Sequence, residues 1–141
     1  MEQENQLQEV IAYSRDMKDS ALAHLVICAN LDVAVDVTLI IGGQVVAGQL
    51  VSGKKYAETM AVNLRTTNHS AEIKEEMASF FDNMAHEYRS EEGHSIPLNY
   101  LHILNPSYMK GDGGWVSVQG AIVRIPIEKV CGFSLGKDSK L

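Results

Sequence analysis

Four groups of residues in this chain carry side chains or spacings that could support chemistry. The first, Gly111-Asp112-Gly113-Gly114, is glycine-rich in the manner of a phosphate cradle. Such a cradle needs a strand before it and a helix N-terminus after it, where free N–H groups receive the anion. Here a Trp-led strand pattern follows and no Gly-Lys-Ser/Thr is present, so the loop reads as an exposed link between strands. The second group is His86 and His94 with Glu87, Glu91 and Glu92, donors that suit a divalent metal. The two histidines are not at a usual ligand spacing and neither cysteine is close in sequence, which favours solvated residues at a helix end. The third comprises the nucleophile candidates. Cys131 lies in a strand-like Val-Cys-Gly-Phe context with no helix N-terminus to lower its pKa, and Ser134 lacks the Gly-x-Ser-x-Gly turn. The fourth is the carboxylate pairs Glu75-Glu76 and Glu91-Glu92, on faces expected to be exposed, where nothing raises one pKa for acid catalysis. No catalytic residue, metal or cofactor is assigned, and the chain is expected not to be an enzyme. His24 and His102, in apolar strings, read as core or interface histidines, and His69 as a loop residue.

Composition narrows the partners. The chain has 141 residues, 45% of them hydrophobic, enough for one domain over 1–141 with a buried core. A net charge of −6 argues against nucleic acid, whose affinity rests on clustered Lys and Arg. The acidic, polar start (Met1-Glu2-Gln3-Glu4-Asn5) does not resemble a secretory leader. The apolar stretches Ala21–Ala29 and Val37–Ile41 fall far short of the ~20 residues that span a bilayer, so no membrane association is expected. Cys28 and Cys131 read as two reduced, mostly buried thiols. These features together favour the cytoplasm.

The elements that must position these groups follow from periodicity. Residues 1–30 read as a helical segment. Gln3–Asp19 is amphipathic through Leu7, Val10, Ile11 and Met17. Asp19 or Ser20 then caps Ala21–Ala29, apolar on every side and expected to be buried. From Val33 the period becomes two, and Gly42-Gly43 supplies the positive φ angles of a hairpin loop within residues 33–52. Gly48 inside the return strand allows a bulge or sharp coiling.

Residues 53–92 read as a helical insertion, Gly53–Arg65 then Ala71–Ser90. From Ser70 to Glu92 seven acids face two bases, a local charge of −5. Ile73, Met77, Phe80, Phe81, Met84 and Tyr88 fall on one face at helical spacing. Most often such a stripe docks on its own core. Met77, Phe80, Phe81, Met84 and Tyr88 are also the candidate partner or self-association surface. Residues 97–136 read as strands: Pro97–Leu104, a turn at Asn105-Pro106, then Trp115–Arg124 and Val123–Leu135 bent near Pro126. The expected fold is α+β: a small, strongly curved antiparallel sheet with an N-terminal helix and a helical insertion between strands two and three. An Sm-like barrel is one form of it, and an open four- or five-stranded sheet with helices on one face is the other.

With these elements in order, the chain resembles the gas-vesicle accessory protein U (GvpU) family. The matching features are the hairpin Val37–Ser52 with its Gly-Gly turn and Gly48, and Tyr56 soon after. The strand Tyr100-Leu101-His102-Ile103-Leu104-Asn105 and the closing Val130–Lys137 (VCGFSLGK) also match, so the resemblance covers the later two-thirds of the chain. The Gln3–Asp19 helix looks like an extension, and Val116–Ile127 looks longer than the family pattern. The resemblance implies a small cytosolic accessory protein, not a main shell component, that self-associates and helps gas-filled protein shells assemble or cluster. Its implied partners are itself and gas-vesicle shell or accessory proteins. An Sm-like RNA binder and a small-ligand sensor domain are the competing functional classes.

Overall fold

The computed structural model describes residues 18–139 and 141. The helix expected over Gln3–Asp19 lies outside the described residues apart from its last two positions. Helix α1 (Ser20–Asn30) starts where Asp19 caps it, its carboxylate accepting the N–H groups of Ala21 at 2.9 Å and Leu22 at 3.3 Å. It buries Leu22, Val26 and Ala29, one face of a helix at spacings of four and three. The expectation that this segment is buried on every side is corrected: Ile27 is 46% exposed, and His24 is exposed.

Strands β1 (Val35–Ile41) and β2 (Gln44–Val51) form the expected hairpin, with Gly42 and Gly43 at φ +51° and +87°. Two positive φ angles give a turn whose twist matches that of its strands, and the missing Cβ atoms make it inexpensive. Helices α2 (Gly53–Arg65) and α3 (Ala71–Glu87) follow. Strand β3 (Tyr100–Met109) then pairs with β2 on one side. On its other side it pairs with β5 (Ile122–Pro126) along its first half and β4 (Trp115–Ser117) along its second. A 3-10 turn, Ile127–Lys129, leads to β6 (Gly132–Leu135), which returns to pair with β1.

The fold is thus α+β, three helices with a six-stranded antiparallel sheet ordered β4-β3-β2-β1-β6, and β5 also on β3. The sheet is not closed. Among the described residues no ladder joins β6 to β4 or β5, so the barrel form is not what the chain adopts. The four-residue β6 and the termination of β5 at Pro126, which has no N–H to donate, leave little strand with which to close it. Helices cover both faces rather than one. On one face α1 packs against Val37, Leu39, Leu50, Leu101, Ile103 and Ile125. Residues of opposite parity on β3 and β5 face the α2–α3 hairpin.

One expectation inverts. Asn105-Pro106 does not end the strand: β3 runs through it. The register with β2 shifts between Ala47 and Gln49, so Gly48 lies opposite the Asn105-Pro106 pair in a bulge. A bulge position needs no ladder hydrogen bond, which suits proline. Asn105 takes a positive φ of 53°, its N–H donates to the Ala121 carbonyl at 2.9 Å, and its Oδ1 accepts the Gly120 N–H at 2.8 Å.

Two glycines are required by close approach. A Cβ on Gly48 would land on Ile103 Cγ2 and within 2.8 Å of the Leu104 carbonyl oxygen, and one on Gly53 would lie 2.5 Å from Cδ1 and Cζ of the Tyr88 ring. Gly48→Ala and Gly53→Ala are expected to lower unfolding free energy in urea by about 1–3 kcal/mol each. Gly111→Ala, with open space around the new atom, is expected to change it by less than about 0.5 kcal/mol. Equal effects at all three sites would contradict the packing described.

Candidate functional site

Helix α3 and its C-cap residue hold the five residues singled out in the sequence, and two interactions fix how they are presented. Ser70 caps it, its hydroxyl accepting the Ile73 N–H at 3.3 Å. The side chains buried at its contact with α2 are small: Ala57 and Ala61 on α2 and Ala78 on α3 are at most 2% exposed. At the rim, the Arg65 guanidinium grips Glu75 through Nε (3.1 Å) and Nη2 (2.8 Å), and Asp82 through Nη2 (2.6 Å) and Nη1 (3.4 Å). Hydrogen bonds from Arg65 hold both carboxyls below their usual range, and those bonds raise Arg65 in turn. All three groups are solvated, so this clamp aligns the helices more than it stabilises them.

Ala78 is the one fully buried residue of α3, and the larger apolar side chains of the stripe divide into two sets. Ile73, Met77 and Phe80 face solvent, at 49%, 41% and 63% exposure. Phe81 and Met84 are half-buried and Tyr88, the C-cap, is 2% exposed. Phe81 joins the two sets, meeting Phe80 edge-on at 5.2 Å between centroids and Tyr56 at 6.3 Å.

The inward set reaches a polar layer between helices and sheet. His102 of β3 and Arg124 of β5 are cross-strand partners, which places both side chains on the face toward the helices. Arg124 Nη1 lies 3.1 Å from His102 Nε2, 3.4 Å from Tyr88 Oη and 3.5 Å from Met84 Sδ. Arginine can only donate, so His102 Nε2 accepts and the proton of the neutral imidazole sits on Nδ1. The guanidinium also stacks on Tyr100, 3.9 Å from its ring centroid, and lies 5.7 Å from that of Tyr56. Tyr56 and Tyr88 pack on the imidazole at 4.8 and 5.8 Å. Burial first, and the adjacent Arg124 charge second, push the His102 pKa down from 6.5 to about 3.

The remaining chemical candidates stay apart. Gly111-Asp112-Gly113-Gly114 is the β3–β4 turn, closed by Lys110 N–H to Gly114 O at 2.7 Å. His94 Nε2 donates to the Glu87 carbonyl at 2.6 Å, and the Arg89 guanidinium pairs with Glu91. Among the described residues no three His, Cys, Asp or Glu side chains are placed to hold a metal ion. Cys28 is half-buried and Cys131 is exposed, which corrects the expectation of mostly buried thiols. Cys131 lies beyond the 3-10 turn, just before the edge strand β6, which has no strand on its outer side among the described residues.

Sequence reasoning missed the polar layer. Periodicity places Tyr56, Tyr100 and His102 on their elements without joining them, and it does not single out Arg124. The available signal was the lone charge in the apolar run Ala121–Ile127, facing a histidine in an equally apolar strand.

A family model described as gas vesicle protein GvpU-like matches residues 19–138, so the match includes Val116–Ile127 and begins after most of the N-terminal extension. No curated protein matches the chain, and no solved structure does. No described helix is long and apolar enough to cross a membrane.

The depressed His102 pKa has a consequence for acid stability. The unfolded chain binds this proton below about pH 6.5 while the folded protein refuses it until about pH 3, so this contribution is complete above pH 6.5 and is lost on acidification. Between pH 6 and 5, unfolding free energy is expected to fall by roughly 1 kcal/mol per pH unit on account of this residue. His102→Gln is expected to remove that slope in urea titrations. An NMR titration showing the His102 ring protonating near pH 6 would refute the assignment.

Proposed function

The chain belongs to the gas vesicle protein GvpU-like family, and from that premise we propose a non-enzymatic role in gas-vesicle assembly or clustering. In this reading it is a cytosolic accessory protein that associates with itself and with shell or accessory components through apolar surfaces. The observation that carries the reading is Phe80, 63% exposed and aligned with Ile73 and Met77 along one face of α3. A single exposed apolar residue is ordinary, but three in line on a helix whose one buried residue is Ala78 form a patch suited to a partner.

Two further features support a binding role. The outer edges of β6 and β5 carry backbone groups with no strand beside them among the described residues, and Leu135 and Ile40 near the β6 edge are 66% and 46% exposed. Glu75 and Asp82 of α3 form solvated ion pairs with Arg65, and the buried His102 is occupied by Arg124. No observation favours the RNA-binding alternative, and the seven acids of Ser70–Glu92 stand where a basic rim would be needed.

Sedimentation velocity over a range of concentrations is expected to show association of the wild type and a monomer for Met77→Glu/Phe80→Glu. Because both side chains are exposed, the unfolding free energy of the variant should stay within about 1 kcal/mol of wild type. In co-sedimentation with purified gas vesicles, the wild type should accompany the vesicles and the variant should remain largely in the supernatant. A wild type that is monomeric throughout and not enriched with vesicles would remove the proposal.

A further inference from the structure

The guanidinium of Arg124 is half-buried, yet among the described residues no Asp or Glu oxygen lies within 4.0 Å of it. Fourteen of the chain's eighteen acids lie among the described residues, and none of those fourteen is brought to this cation. A charge withdrawn from water is costly unless something compensates it. The compensation in place comes from neutral groups: the Tyr100 face, His102 Nε2, Tyr88 Oη and Met84 Sδ.

All three of those polar contacts use Nη1. The Nε–H and the Nη2 N–H groups have no protein acceptor among the described residues. Among the described residues no buried side-chain nitrogen or oxygen is left without a partner, so both of these nitrogens reach solvent. Nε and Nη2 form the edge of a guanidinium that presents two parallel N–H bonds, the geometry that matches the two oxygens of a carboxylate. Stacking on Tyr100 and the contacts of Nη1 hold the fork before any anion arrives, which lowers the entropy cost of binding.

We propose that the open Nε/Nη2 edge of Arg124 is a carboxylate-binding site, held in place by Tyr100, His102 and Tyr88. One cation with neutral partners matches a single monoanionic carboxylate. A nucleic-acid backbone needs a row of bases, and the net charge of −6 opposes it. The carboxylate can belong to a free organic acid or to an acidic side chain, the two sources sharing one chemistry. This inference does not depend on self-association through Phe80, since Arg124 lies on β5 and the exposed stripe on α3.

The test follows the Arg124 Nε–Hε resonance of the ¹⁵N-labelled full chain, assigned by its loss in Arg124→Lys. Sodium acetate is titrated against sodium chloride at equal ionic strength, and a blocked tripeptide with a central glutamate forms the second arm. A saturable shift with both probes supports a site that reads the carboxylate alone, and a shift with the peptide only supports an acidic side chain as occupant. In Arg124→Lys, which keeps the charge but loses the fork, the Tyr100 resonances report binding weaker by about tenfold. No shift beyond chloride with either probe, or undiminished binding in Arg124→Lys, overturns the proposal.

Discussion

The arrangement of the α2–α3 hairpin rests on one polar layer, in which a buried neutral His102 and a half-buried Arg124 lie between sheet and helices against Tyr56, Tyr88 and Tyr100. A fully apolar interface could slide with little loss, because hydrophobic burial is non-directional. Here Tyr88 Oη must meet Arg124 while its ring lies on Gly53, so the C-terminus of α3 and the N-terminus of α2 are located together. Asn30 extends the same tie to α1, its Oδ1 accepting the Gly53 N–H at 3.0 Å. All three helices are therefore referenced to one place, and the neutral state of His102 is what allows the cation beside it to remain.

This constraint also explains why α3 has two characters. Its alanine contact with α2 brings the helices close, Arg65 fixes their alignment at the rim, and Tyr88 anchors the far end. With those three conditions met, the side chains at 73, 77 and 80 stay 41–63% exposed within the described chain. Their exposure follows from how the helix is held rather than from a lack of apolar residues. The same helix accordingly offers an outward apolar stripe and an inward end that completes the polar layer.

Much of this was legible in local sequence. Gly42-Gly43 between alternating runs specified the β1–β2 hairpin, and Gly48 signalled the bulge that it occupies. Asp19, Ser52 and Ser70 are N-caps whose positions set the three helix starts. What could not be read was set by distant partners. Pro106 looks like a strand terminator until Gly48 is known to lie opposite it. Arg124 looks like a surface charge until register places it across from His102. The α3 stripe looks uniform until Tyr56, on another helix, is known to meet Phe81 and leave Phe80 outside.

Charge and apolar surface act over different distances in such a molecule. A net −6, with −5 between Ser70 and Glu92, repels other copies chiefly once they come within a Debye length, about 8 Å at physiological ionic strength, because salt screens it at longer range. Glu75 and Asp82 are already engaged by Arg65, so part of the charge on the α3 surface is compensated locally. Inside the screening distance, the contact made by Ile73, Met77 and Phe80 gains from removing apolar area from water, a term that salt does not weaken. Association through α3 would therefore strengthen as salt rises, whereas capture of a carboxylate by Arg124 would weaken. Opposite responses to salt follow directly from placing the apolar stripe outside and the cation at the rim of the polar layer.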